Sequence, residues 1–185
     1  MYNLRMWTLD IVAGEGRVGN EAGGNGLETT QLSNFTATSD NSGAKELWRG
    51  PWAGISRTNW ILTNIDKSPK ISDAKKTQYK GEAHFLRGLY YFNLVRLFGD
   101  VPWIDKQQTA SDDLQVSRTS KDIVYQHIID DFSDAASMLP AVYENTTDIG
   151  RATKGAAFGL LAKVYLTLKR YNETLVAIDS VMNLG

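Results

Sequence analysis

Three observations predict an all-α fold for this 185-residue sequence. Five separate stretches repeat apolar residues at intervals of three and four. Most of those stretches carry Ser or Thr at their start or a Gly or Pro stop at their end. No alternation of strands with helices, of the kind a parallel sheet needs, appears anywhere along the chain.

Composition narrows the function classes. Hydrophobic residues make up 42% and aromatic residues 10%, enough for one compact core or two small ones. Lys and Arg number 20 against 21 Asp and Glu, a formal net charge of −1, which gives no electrostatic case for nucleic acid or an anionic membrane surface. The chain has no cysteine, so disulfides, thiolate catalysis and Cys-ligated metals are excluded. No apolar run reaches the length of a membrane span, and MYNLRMWTLD has neither the basic nor the apolar part of a signal peptide. The start reads as a helix under way and the finish as a helix just completed, so the expectation is a piece of a longer protein.

Residues 9–43 are rich in turn formers, with Gly14, Gly16, Gly19, Gly23, Gly24 and Gly26 close together. They predict a long irregular loop with a short strand at Leu9–Ala13. From residue 44 to 185 the pattern is helical. Leu47, Trp48, Trp52, Ile55, Asn59, Leu62 and Ile65 form one stripe, whose regular helix is expected to start near Arg49 because Pro51 is tolerated only in a first turn. Ser72 is the expected N-cap of the next helix, which runs to Phe98. Tyr79, Ala83, Leu86, Tyr90, Leu94 and Leu97 line one stripe of it, and Phe85, Leu89 and Phe92 a second, so burial on more than one side is expected. Gly99 and Pro102 end it. A cap at Thr119-Ser120 opens a helix through Val124, Ile128, Phe132, Ala135 and Leu139. Thr153 caps another through Ala157, Leu161, Val164 and Tyr165, whose Gly155 and Gly159 invite close approach by a neighbour. A break at 169–172 leads to a last helix through Leu175, Ile178 and Val181.

Several motifs suggest catalysis and fail on context. Gly14-Glu15-Gly16-Arg17-Val18-Gly19 spells the dinucleotide fingerprint, but glycines follow it where a helix must begin. Ser72-Asp73-Ala74-Lys75 and Ser39-Asp40-Asn41 match two penicillin-recognising signatures in the wrong order, and Lys76-Thr77-Gln78 lacks the third's glycine. His84 and His127 are isolated and read as surface or interhelix residues, while Asp130, Asp131 and Asp134 read as a solvated face. No catalytic constellation, metal site or cofactor is expected.

The segment Glu82–Pro102, EAHFLRGLYYFNLVRLFGDVP, resembles the signature of the SusD/RagB family. Trp48, Trp52, Ile55 and Asn59 resemble that family's W-x3-Y-x2-I-x3-N helix, with Trp52 where tyrosine is usual. Gly150–Ala157 with Leu161–Leu166 resembles its GRATKGAA and LLAKVYL block. The resemblance runs from about Tyr2 to Gly185, so the whole chain is read as an N-terminal SusD-like region, loop-rich over 9–43 and helical over 44–185.

What the resemblance implies is a tetratricopeptide-like helical repeat scaffold. Phe158, Leu161, Ala162, Tyr165, Tyr171 and Ile178 fall at suitable intervals for such a repeat, although Lys169 and Thr174 stand where glycine and alanine are usual. On that scaffold most rings of Phe85–Phe98 are core rather than a ligand-stacking face. The implied function is non-catalytic capture of a glycan or oligosaccharide at the outer surface of the cell outer membrane. Delivery goes to a SusC-like TonB-dependent transporter, and the membrane is reached only through an N-terminal lipid anchor absent from this chain. A tetratricopeptide-like adaptor for a peptide or protein partner is the alternative. By family resemblance the irregular segment at 10–41 contributes to the glycan pocket, and within it Asn20, Glu21 and Asn25 are the candidate hydrogen-bonding residues. Turn chemistry is their competing explanation, since Asn beside Gly favours left-handed backbone. The family's glycan site also draws on a longer C-terminal region, so this chain alone is expected to bind oligosaccharides weakly or not at all.

Overall fold

The computed structural model describes residues 7–15, 27–112 and 115–184. Among them the chain forms seven α-helices: α1 Trp7–Val12, α2 Leu27–Ser33, α3 Ser42–Asn64, α4 Asp73–Phe98, α5 Lys121–Met138, α6 Lys154–Thr167 and α7 Tyr171–Met182. The one β-type pairing among the described residues is a single antiparallel bridge between Val101 and Thr119. The chain divides into two compact units, 1–53 and 54–185, with the boundary inside α3.

In the first unit the stretch expected to be a strand is α1, and its end explains why. Gly14 takes φ +80°, Gly14 N donates to Ile11 O at 3.1 Å and Glu15 N to Asp10 O at 3.0 Å. This is the glycine-terminated helix stop in which two orphan carbonyls are satisfied at once. The helix α2 ends with the same bond pattern, Phe35 N to Leu32 O and Thr36 N to Gln31 O, but on a phenylalanine at φ +55°. The stretch 9–43 therefore contains helical turns as well as loop.

The start of α3 also differs from expectation, lying at Ser42 rather than near Arg49, so that Pro51 is inside the helix. Asn41 is the reason. Its Oδ1 accepts from Ala44 N at 3.2 Å while its buried Nδ2 donates to Glu28 O at 2.9 Å and Gln31 Oε1 at 3.0 Å. A cap held from three sides offsets part of the cost of proline's missing N–H.

In the second unit α4 packs on α5, α5 on α6 and α6 on α7. The core is Tyr91, Phe92 and Leu94 of α4, Val124, Ile128 and Phe132 of α5, and Ala157 and Val164 of α6. The helix α4 has the expected bounds, with Ser72 Oγ accepting from Lys75 N at 3.4 Å and Gly99 at φ +70°. Its buried face is rotated from the expected one. Leu86 is 39% exposed and Leu97 is also exposed, whereas Arg87 and Asn93 are buried.

Three further differences concern neighbours. Ser120 provides no side-chain cap for α5. Asp100, one residue past the α4 stop, does so instead, accepting from Lys121 N at 2.8 Å. In α6, Thr153 caps as expected, accepting from Ala156 N at 3.2 Å, but Gly159 meets no neighbour among the described residues. The close approach falls elsewhere, at Gly54 of α3, where an added Cβ would run into the Tyr90 ring. In α7 only Thr174 and Ala177 are buried, and the expected core residues Leu175 and Ile178 face outward. The turn before α7 places Lys169 at φ +60°, a left-handed conformation that a glycine takes without strain.

Candidate functional site

Asn20, Glu21 and Asn25 lie outside the described residues, as do Gly16 and Gly19 of the dinucleotide-like motif. The Ser72-x-x-Lys75 match is a helix cap made with the lysine's own backbone N–H.

The polar architecture that the structure does show is built around Arg87. On α4 its Nε and Nη2 donate to Asp131 Oδ2 at 2.9 Å and Oδ1 at 2.7 Å, a bidentate pair with α5. Its Nη1 donates to Asn59 Oδ1 on α3 and to the Asp105 carbonyl, both at 3.0 Å. His84 Nδ1 completes the carboxylate's partners at 2.7 Å from Asp131 Oδ1. Asp131 is thus 2% exposed and not part of a solvated face, because a fork-shaped cation from the neighbouring helix compensates its desolvation. Sequence reading left His84 as either a surface or an interhelix residue and missed its partner. The available signal was an arginine among apolar positions of α4.

The same network holds the connector after α4. Asn59 Nδ2 donates to Ile104 O at 2.7 Å, and the Tyr91 hydroxyl accepts from Ile104 N at 2.7 Å. Burial pushes the Tyr91 phenol well above its ordinary range. Trp103 lies between two rings, 4.2 Å from Tyr91 and stacked at 4.3 Å on His127, with the Arg87 guanidinium 5.3 Å from its centre. Both faces of this indole are covered, so it is a clamp on the connector and not a platform for a ligand.

Two clefts open elsewhere on the second unit. One, of about 360 Å³, is bounded by Phe85, Leu86, Ala152 and Ala156, with the Arg151–Glu82 ion pair at 2.8 Å on its edge. Beside it the Tyr143 hydroxyl donates to Ala152 O at 2.9 Å and lies 3.3 Å from Glu82 Oε1. Burial first, and the Glu82 charge second, push the Tyr143 phenol up to about 12. The other cleft, of about 250 Å³, runs between α6 and α7 along Phe158, Leu161, Tyr165, Val176 and Ala177. Among the described residues no group of His, Asp and Glu is arranged to hold a metal ion, and no helix is long and apolar enough to cross a membrane.

A stack of helices each packed on the next, with connectors clamped by side-chain bonds, defines a helical-repeat scaffold. Residues 5–166 match the family model SusD-like_3, described as starch-binding and associating with the outer membrane. The chain belongs to this SusD-like family. It is 32% identical over 156 residues to SusD-like protein P2 of Formosa agariphila, covering 83% of this chain and 30% of the relative. It is 30% identical to a SusD-like protein of Bacteroides ovatus, over 77% of this chain and 26% of that one. Its fold is similar to that of a laminarin-binding SusD-like protein, with a TM-score of 0.85 at 26% identity, covering 97% of this chain and 41% of the other. The chain thus spans under a third of the length of these two curated relatives.

Proposed function

We propose that the protein is a non-catalytic glycan-binding subunit of a nutrient-uptake system at the outer membrane. It captures oligosaccharides and passes them to a SusC-like TonB-dependent transporter, and a lipid anchor on the mature protein holds it at the outer surface. The observation that carries this reading is the similarity of fold, over nearly the whole chain, to a protein that binds laminarin. The family's description as starch-binding supports the same ligand class. In this reading Asn20, Glu21 and Asn25 present amide and carboxylate groups to sugar hydroxyls from the segment between α1 and α2. The apolar cleft between α6 and α7 is the observation that favours the alternative, an adaptor for a helical peptide.

Native electrophoresis of the full-length protein through gels containing laminarin or amylopectin tests the reading. Retardation in either gel supports glycan binding, and unretarded migration in both opposes it. The double variant Asn20→Ala with Asn25→Ala is expected to lose retardation several-fold, about one hydrogen bond's worth per residue, with its melting temperature unchanged. Unchanged retardation in the double variant removes these two residues from the site.

A further inference from the structure

On α3 and just beyond it one ring stands apart. Trp60 is 56% exposed on the face of α3 that also carries Ser56, Arg57, Thr63 and Asn64, three or four residues away on either side. Among these residues the indole is the single large apolar group. A helix that docks on another protein segment presents apolar residues in a row, and this face does not.

The polar groups around the ring are already organised. Asn64 Nδ2 donates to Trp60 O at 2.9 Å and to Gln107 Oε1 at 2.7 Å, and Asn64 Oδ1 accepts from Lys67 Nζ at 2.9 Å. Gln107 N donates to Thr63 Oγ1 at 3.3 Å. These bonds fix the Gln107 carboxamide through its oxygen. Among the described residues its Nε2 hydrogens meet no acceptor, nor does the Thr63 hydroxyl hydrogen, so both groups are free to donate outward.

An exposed indole beside oriented amide and hydroxyl donors suits a ligand with an apolar C–H face edged by hydroxyls. Arg57 lies one turn before Trp60 and Lys67 bonds Asn64 one turn after it, a local positive charge that disfavours a cationic ligand over the ring. We propose that Trp60, Thr63 and Gln107 form a pyranose-stacking site. The site rests on the glycan-binding reading above and adds a second point of contact to it.

Nuclear magnetic resonance titration of the 185-residue chain tests this, with laminarihexaose, maltohexaose and an oligogalacturonate each taken to millimolar concentration. The indole N–H signal of Trp60, assigned by its absence in Trp60→Phe, is expected to shift saturably with at least one of them. A response to the oligogalacturonate alone would mark the flanking cations as selecting an acidic sugar. Trp60→Ala is expected to weaken binding about tenfold and Gln107→Ala about threefold, whereas Trp60→Phe keeps most of it. Melting temperatures are expected to stay level, since the ring is exposed. Binding that survives Trp60→Ala unchanged overturns this site and leaves glycan binding standing. A 185-residue chain that binds none of the three glycans overturns this site, and a full-length protein unretarded in both gels overturns the glycan-binding reading as well. A change confined to the sedimentation coefficient of Trp60→Ala also overturns the site, making the ring a contact between copies.

Discussion

The α4–α5 pair and α7 are both amphipathic helical segments of the second unit, yet they treat their residues in opposite ways. At the α4–α5 seam a salt-bridged arginine and aspartate are buried among aromatic rings. On α7, Leu175 is 61% exposed, and Tyr171, Val176 and Met182 are exposed with it. Polarity by itself therefore does not sort inside from outside in this chain. What sorts it is the partner each helix meets. The helix α4 has α5 and the 101–107 connector against it, whereas α7 packs on α6 through Thr174 and Ala177. In helical-repeat proteins each helix is covered by the neighbours it meets, and among the described residues α6 is the helix packed on α7.

The largest expected effect breaks the seam at its charge pair. Arg87→Ala leaves the Asp131 carboxylate buried with His84 as its remaining side-chain partner, and removes the bonds to Asn59 and Asp105 O. A loss of about 3–5 kcal/mol in urea denaturation is expected. Replacing both charges, Arg87→Met with Asp131→Leu, is expected to recover much of that loss, because neither charge is then stranded. A loss below about 1 kcal/mol in Arg87→Ala would mean that water reaches Asp131 and that the seam is not the closed structure described.

Making one truncation in both regions sharpens the contrast. Leu94 has no exposed surface, and Leu94→Ala is expected to cost about 2–5 kcal/mol. Leu175→Ala is expected to stay within about 0.5 kcal/mol, as surface changes do. Equal losses at the two positions would show that α7's outer face is covered in solution, by a second copy or by another segment.

This contrast also explains what the sequence made legible. The boundaries of α4, the Thr153 cap and the core positions Val124, Ile128, Phe132 and Ala135 follow from local pattern, because caps and apolar periodicity act within a few residues. The exposure of Leu86 and Leu175 does not follow, since periodicity names an apolar face but not the neighbour that covers it. Asp131 read as solvated because its partner lies 44 positions away. The Asp100 cap on α5 was missed for the same reason, acting across 21 positions. The start of α3 was misplaced because Asn41, read within a polar run, draws its support from α2. For the ligand site the family resemblance pointed to Asn20, Glu21 and Asn25, while Trp60, which falls outside the apolar stripe read for α3, was not singled out.

A single hydrogen bond is tested between the two regions, at Tyr143, which ties Ala152 ahead of α6 to Glu82 of α4. Tyr143→Phe deletes one hydroxyl and keeps the ring, so at neutral pH a loss of about 1 kcal/mol is expected, one hydrogen bond's worth. Its pH signature is more telling. The folded phenol titrates near 12 and the unfolded one near 10, so below pH 10 both states keep the proton and the contribution is whole. Between 10 and 12 the unfolded chain releases its proton first, so stability falls as pH rises through that window. Tyr91, also raised, adds to the same fall. Tyr143→Phe is expected to flatten the decline relative to the wild type without abolishing it, as read from urea midpoints at pH 9, 10 and 11. A variant whose midpoints decline in parallel with the wild type would place the Tyr143 hydroxyl in water.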